Sequence, residues 1–592
     1  MTAVAEAPTS PRWSPPTRNS TAVFAFKVAL LRLRRFVVDL AAAPPRLMRS
    51  ETAGFGQVLA ASRTPLWTDT ALAERVHQLG KVENLRRAGH ALDGLVIPGG
   101  ATFSFWRQVG PPLAVRGFVA GRMLQQGCLI PAVGGGLCQL SNALHDVALA
   151  AGCTIVERHA HTRIVPGSAA AAGRDATVAW NYVDLRFAAD RDLRLSVRLD
   201  ADELIVRLDG RGDGRAAAPA PLKRAAVEDI APRSCGTCDE VTCFRHGPAP
   251  VSRDGGRVFL VDEAWPEIQA YVVGERKGGD RLGVPIDGAA LDLARYAWRR
   301  DGFARVAGAP LAALGRAAAL RMAGPQGAAR RRAELAAAER IARSLARLLT
   351  PEVQTVTVAQ SLLPFLWRDG RLGGREVTVL MTRLPMAALQ QRLDRAAADH
   401  PDQATLADFR APAWLVDCEG EALAAAACLV TPHAEIAALF GDRAVRIAWS
   451  APPASPDRPT TREPFIAFPG PTVARKGALA VREAARALGL EVMPLGSELE
   501  GADFWRGVRL RSPGDWRAAA AVVQPAVVED QPRRLLAALA AGVPVIATAA
   551  CGLDPQPGLT LIPPNDARAL ERALKAPPRP GSRSGSPGSA ET

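Results

Sequence analysis

From residue 256 to residue 575 short apolar runs alternate with helical stretches rich in Ala, Leu and Arg. This alternation restricts the fold more than any other feature of the sequence. The runs at 258–261, 353–358, 377–381, 428–430 and 445–449 are mostly apolar, and so are those at 465–468, 491–495, 519–523 and 543–548. A strand exposed on one face would alternate apolar with polar residues. Mostly apolar strands between helices predict parallel sheets covered on both sides. The expected class is therefore α/β and multidomain.

A chain of 592 residues exceeds what one core holds. Residues 1–59 are expected to form a tail and a basic amphipathic helix, and 60–212 a mixed α+β domain. Residues 213–255 have the composition of a linker. Residues 256–450 and 451–576 are expected to be two Rossmann-like domains, followed by a Pro/Gly/Ser tail at 577–592. The net charge of +14 suits anionic partners. No nucleic-acid motif accompanies it, and three tyrosines make no base-stacking platform, so nucleic acid is not an expected partner. Phe26, Leu30, Leu33, Val37 and Leu40 share one helical face, with Lys27, Arg32, Arg34 and Arg35 off it. Such a helix either packs on the body or lies on an anionic membrane surface. No cleavable signal peptide or spanning segment is recognisable, so the expected location is the cytoplasm, with peripheral contact at the inner membrane face.

Gly134, Gly135 and Gly136 run through Leu137 into Cys138, followed by Gln139, Leu140, Ser141 and an apolar-periodic stretch. This predicts a glycine turn feeding a helix with Cys138 in its first turn, where the helix dipole favours a thiolate. A run at 154–161 is a strand candidate with His159 and His161 on one face, and Asp175 opens another strand candidate. A cysteine nucleophile needs a base and an orienting acid, and Cys138, then His159 or His161, then Asp175 supply that order. The bland alternative is a small buried residue, a strand pair and a turn aspartate.

Asn84-Leu85, Pro98-Gly99, Phe103-Ser104-Phe105, Gly117-Phe118, the Gly134–Ser141 stretch, Glu157-Arg158-His159, His161 and Gly173-Arg174-Asp175-Ala176-Thr177 resemble the VanW family over about residues 60–210. The resemblance implies Cys138 as acyl-accepting nucleophile in L,D-transpeptidation of cell-wall peptides. His159 or His161 would then be the base and Asp175 the orienter.

Cys235, Cys238, Cys243 and His246 follow the spacing Cys-x2-Cys-x4-Cys-x2-His. Four such ligands within a short stretch suggest structural zinc, with an iron–sulfur cluster as the alternative. A disulfide or plain loop cysteines are the other readings.

Arg475, Lys476 and Gly477 open a helix and suit a diphosphate. Val522 to Pro525, Glu529 to Pro532 and the 535–548 stretch resemble the nucleotide-sugar segment of retaining glycosyltransferases of the two-Rossmann (GT-B) fold. That likeness implies diphosphate binding by Arg475 and Lys476 and a sugar-facing Glu529. The family's second glutamate, which holds the donor ribose, is Ala537 here. The leading expectation is glycosyl transfer from a nucleotide sugar to an envelope or peptidoglycan precursor. The alternatives are acyl or peptidyl transfer at Cys138, or a non-catalytic scaffold with both sites degenerate.

Overall fold

The computed structural model describes residues 15–50, 54–68, 74–160, 174–211, 233–235, 238, 240–245, 255–450, 452, 461–501 and 503–575. The chain divides into two compact units. The first is residues 1–255 with 350–354 and 368–375, and the second is 256–349, 355–367 and 376–592.

The first unit begins with helix α1 (Arg18–Ala42). Strand β1 (Phe55–Pro65) precedes helix α2 (Arg75–Leu92). Next come β2 (Val96–Ile97), β3 (Thr102–Ser104), helix α3 (Phe105–Val109), β4 (Ala120–Gln125), β5 (Cys128–Val133) and helix α4 (Cys138–Ala150). The unit closes with β6 (Thr154–Glu157), β7 (Arg186–Ala188), β8 (Leu193–Leu199), β9 (Glu203–Arg211) and β10 (Arg233–Ser234). Three sheets result: β1-β9-β8-β2, β3-β7-β6 and β10-β5-β4. Along β8, Leu193, Leu195, Val197 and Leu199 are buried and the residues between them are not, as a period of two requires. Phe103, Phe105, Phe187, Leu140 and Leu144 are fully buried in the core that α2 and α4 cover.

Three expectations for this unit change. The first histidine strand ends at Glu157, before His159. Residues 175–178 form no strand: Ser141 and Asn142 of α4 take up the Ala176 backbone groups, and the Arg158 side chain takes the Asp175 carbonyl. The supposed linker contributes β10, which lies parallel to β5.

The second unit contains two parallel sheets. The first uses β11 (Arg257–Leu260), β12 (Arg281–Val284), β13 (Arg305–Gly308), β14 (Thr355–Ala359), β15 (Glu376–Leu380), β16 (Cys428–Thr431) and β17 (Ala444–Arg446). Its order is β13-β12-β11-β14-β15-β16-β17. The second uses β18 (Glu463–Phe468), β19 (Glu491–Pro494), β20 (Arg509–Leu510), β21 (Ala519–Gln524), β22 (Val545–Ala547) and β23 (Leu559–Leu561), in the order β20-β19-β18-β21-β22-β23. Each begins third-second-first-fourth-fifth-sixth, the doubly wound Rossmann order. Val258, Phe259 and Leu260 are all buried, so both faces of β11 are covered. Glu267, buried, takes both terminal nitrogens of Arg533 and so ties the two sheets together. The fold class read from the sequence, a mixed α/β domain followed by two Rossmann-like domains, is the one observed.

Candidate functional sites

In the first unit, positive φ at Gly134 (79°) and Gly136 (95°) lets the loop turn sharply into α4. Gly135 lies so close to Gly121 of β4 that a side chain there would strike backbone. Asn84 of α2 holds the loop to β4. Its amide donates to the carbonyls of Gly135 (2.9 Å) and Val119 (3.0 Å), and its oxygen accepts from Val119 N–H (2.9 Å). Lys81 packs across Gly136. Burial, then the nearby Arg122, lowers its ammonium from 10.5 to about 8.

Cys138 is the first residue of α4 and is partly exposed. Its sulfur lies 3.6 Å from Thr177 Oγ1 and 3.8 Å from the Val178 carbonyl. The same helix face continues with Ser141, Asn142 and His145. Ser141 Oγ donates to the Ala176 carbonyl (2.5 Å), and Asn142 accepts from Ala176 N–H (2.8 Å). His145 Nδ1 lies 3.2 Å from the Arg174 carbonyl. Residues at i, i+3, i+4 and i+7 thus clasp the extended segment 174–178 along its length. Burial lowers the His145 ring below its ordinary 6.5. Sequence reasoning missed Ser141, Asn142, His145 and Thr177, although the helical spacing from Cys138 was visible.

His159 is half exposed, with Nε2 3.3 Å from Glu157. His161 lies outside the described residues. Asp175 is buried and pairs with Arg158 at 2.8 Å, and its charge also acts on His145. Of the expected nucleophile, base and orienter, Cys138 contacts Thr177 and Val178 and Asp175 opens the same segment; the His159 carbonyl accepts from Thr177 N–H (2.8 Å), but its ring is half exposed beyond the end of β6.

The zinc or iron–sulfur expectation finds no support among the described residues. His246 lies outside the described residues. Among the described residues, no three His, Cys, Asp or Glu side chains are grouped closely enough to hold a metal ion. Cys235, Cys238 and Cys243 are free and partly exposed.

In the second unit, the loop after β18 carries Arg475 and Lys476, and the loop after β21 carries Glu529. Strands β18 and β21 are neighbours at the point where the strand order reverses, the crevice in which doubly wound folds bind ligands. Lys476 Nζ lies 3.0 Å from Glu529 Oε2, and Gln531 N–H donates to Glu529 Oε1 at 3.0 Å. Burial opposes the charge on Glu529, but Lys476 and the hydrogen bonds from Gln531 and Gln524 outweigh it and hold the carboxyl below 4.5. The Arg475 guanidinium stacks 4.6 Å above Phe409, and burial lowers it. Among the described residues its Nη1 is buried without a hydrogen-bond partner. Gly477, at φ 85°, starts the helix Ala478–Leu488 against the Pro525 carbonyl, where a side chain would clash.

His433 caps a short helix after β16. Its Nδ1 accepts from Ile436 N–H (3.3 Å), which leaves Nε2–H to donate to the Glu529 carbonyl (3.0 Å). The ring is buried, and burial lowers it below 6.5, consistent with this neutral tautomer. Structurally it is a cap that also fixes the backbone of Glu529.

Residues 80–208 match the family described as VanW like protein. Over 137 residues the chain is 36% identical to the vancomycin B-type resistance protein VanW of Enterococcus faecalis, covering 22% of this chain and 50% of that protein. Over 104 residues it is 39% identical to the uncharacterized protein YoaR of Bacillus subtilis, covering 18% and 34%. The chain thus spans half the length, or less, of these relatives. Among solved structures it is similar to a sucrose-phosphate synthase from Thermosynechococcus elongatus (16% identity, TM-score 0.36, 54% of this chain and 89% of that one). It is likewise similar to WaaG, a glycosyltransferase involved in lipopolysaccharide biosynthesis (14%, 0.30, 54% and 90%). The chain therefore joins a VanW-like domain to two Rossmann-like sheets.

Proposed function

We propose that the second unit binds a nucleotide sugar at the β18/β21 crevice and transfers the sugar to an envelope or peptidoglycan precursor. The observation behind this reading is the Nη1 of Arg475, buried and without a partner among the described residues, beside Lys476 and Glu529. A buried guanidinium nitrogen without an acceptor is costly, and a diphosphate oxygen would satisfy it. Arg475 and Lys476 would offset the charge that develops on the departing nucleoside diphosphate. Glu529, held ionised, would face the transferred sugar. Ala537 offers no carboxylate to a ribose, so the nucleoside end would rely on other contacts. The test is a thermal-shift panel of nucleoside diphosphates and their sugars. One or more should raise the melting temperature, and Arg475→Met should remove the rise. No shift across the panel would favour a scaffold with a degenerate site.

A second reading, acyl or peptidyl transfer at Cys138, is favoured by a partly exposed thiol at the start of α4. It expects a thiol probe to label Cys138 faster than Cys153, whose thiol burial pushes up to about 11. Equal rates would count against it.

Peripheral membrane contact is also proposed. On α1 the apolar side chains Phe26, Leu30, Leu33, Val37 and Leu40 are exposed, beside exposed Lys27 and Arg34. The opposite side of α1 is held by Arg35, whose Nη2 lies 2.7 Å from Glu157. No described helix is long and apolar enough to cross a membrane. The expected mode is lying on an anionic surface at the inner, cytoplasmic face. Vesicles containing phosphatidylserine should sediment the protein, and Phe26→Ser with Leu33→Ser should release it.

A further inference from the structure

Phe409 lies between β15 and β16 and holds φ at 62°, in the left-handed region where a bulky side chain strains the backbone. Such a conformation persists only where its surroundings over-determine it, and it gathers at ligand clamps. Here the chain is fastened on both sides of the ring. Before it, Thr405 Oγ1 donates to Glu500 Oε1, which also accepts from the Ala474 N–H at 2.6 Å, one residue before Arg475. After it, Arg410 donates to the Gln390 carbonyl at 3.1 Å and pairs with Asp394 at 2.9 Å. A turn that belongs to the first parallel sheet thus lays its ring against the loop that follows β18 in the second.

Two guanidiniums meet that ring. Arg475 Cζ lies 4.6 Å from the ring centroid, and Arg331 Cζ, from the helix Ala328–Leu345, lies 5.9 Å from it. Their other contacts differ. Arg331 pairs with Glu334 at 3.4 Å. Arg475 forms no ion pair among the described residues, and its buried Nη1 has no hydrogen bond among them. A carboxylate holds a guanidinium by occupying its N–H donors. An aromatic face attracts the same cation through its quadrupole and occupies none of them.

We propose that Phe409 is a positioning residue for the β18/β21 crevice, fixing the plane of the Arg475 guanidinium while leaving its donor edge open to an oxygen of a diphosphate. The proposal rests on the nucleotide-sugar reading of that crevice. Arg331, tied to Glu334, holds the ring from a second direction. The strained turn is retained for the ring it presents, which reaches the anion only through Arg475.

The full chain is titrated calorimetrically with UDP, ADP, GDP and inorganic pyrophosphate, and the tightest binder serves as probe. Arg475→Met should abolish binding. Phe409→Leu should weaken it about 10-fold, and Phe409→Tyr, which keeps an aromatic face, should hold it within about a factor of two. Fluorine withdraws negative charge from the ring face and nearly preserves its shape. A trifluorinated phenylalanine in place of Phe409 should therefore weaken binding about 5-fold at an unchanged melting temperature. Full affinity in Phe409→Leu or in the fluorinated protein, with Arg475→Met inactive, would overturn this proposal and leave the nucleotide-sugar reading standing. Equal losses in Phe409→Leu and Phe409→Tyr would make the ring mere packing and overturn it too. No binding of any probe by the wild type would overturn the reading of the crevice and this proposal together.

Discussion

The two candidate sites treat their polar groups in opposite ways. Around Cys138 the chain satisfies itself: Ser141, Asn142 and His145 all bond segment 174–178, and Asn84 bonds the glycine loop through both ends of its amide. Around Arg475 a buried guanidinium nitrogen has no acceptor among the described residues, and Lys476 and Glu529 lean on each other across a crevice. The first arrangement is a clasp that a substrate would meet ready-built. In the proposed reading a ligand completes the second. A conspicuous sequence motif can thus spend its chemistry on architecture, while a plain Arg-Lys pair keeps a group in need of a partner.

This contrast can be broken by substitution. The largest effect is expected from Lys476→Ala, which leaves the buried Glu529 carboxylate without its cation and should cost about 3 kcal/mol in denaturant unfolding. Arg475→Met should change the unliganded stability by less than about 1 kcal/mol, since it removes a group already short of a partner. It should also abolish a ligand-induced stabilisation of about 2.7 kcal/mol at a hundredfold excess over Kd. If Arg475→Met instead proves strongly destabilising with the ligand response intact, the contrast fails. On the other side, Asn84→Ala should cost about 2 kcal/mol with no ligand dependence, because it strands the buried Gly135 carbonyl and the half-buried Val119 groups.

Acid should act on both sites. The folded rings of His433 and His145 lie below the ordinary 6.5, so their contribution is full above pH 6.5 and is lost as pH falls through the folded values. Unfolding midpoints followed from pH 8 to pH 5 should fall below 6.5, and the fall should shrink in His433→Gln. The smallest effect is expected from Cys138→Ala, under about 1 kcal/mol, since its sulfur contacts are long and weak. Loss of a cellular phenotype in that variant with unchanged stability would separate chemistry from clasp.

Periodicity carried much of the fold. The doubly buried β11 and the alternating β8 are legible in their side chains alone. Residues 175–178 misled because Asp175 to Val178 has a strand's composition, whereas the Ala176 backbone is paired by side chains of a helix more than thirty residues earlier. Strand β10 went unseen because two residues in a run of Arg, Ala, Pro and Gly carry no period; only the pairing with β5 creates it. At the sites, Arg475, Lys476 and Glu529 were visible as residues, but their convergence depends on strand order. His145 and Lys81 owe their shifted protonation to burial, which no local pattern announces.

The first unit is not continuous along the chain. Arg86, buried in α2, bonds Glu83 at 2.8 Å and reaches the carbonyls of Gly373 and Gly374, some 290 positions onward. Arg375 is buried nearby, with Nε bonded to the Val353 carbonyl at 3.0 Å. During synthesis, the VanW-like domain therefore cannot close around Arg86 until residue 375 has left the ribosome. Much of the first parallel sheet will have emerged by then, so the two units should acquire their stability together rather than in the order in which they are translated.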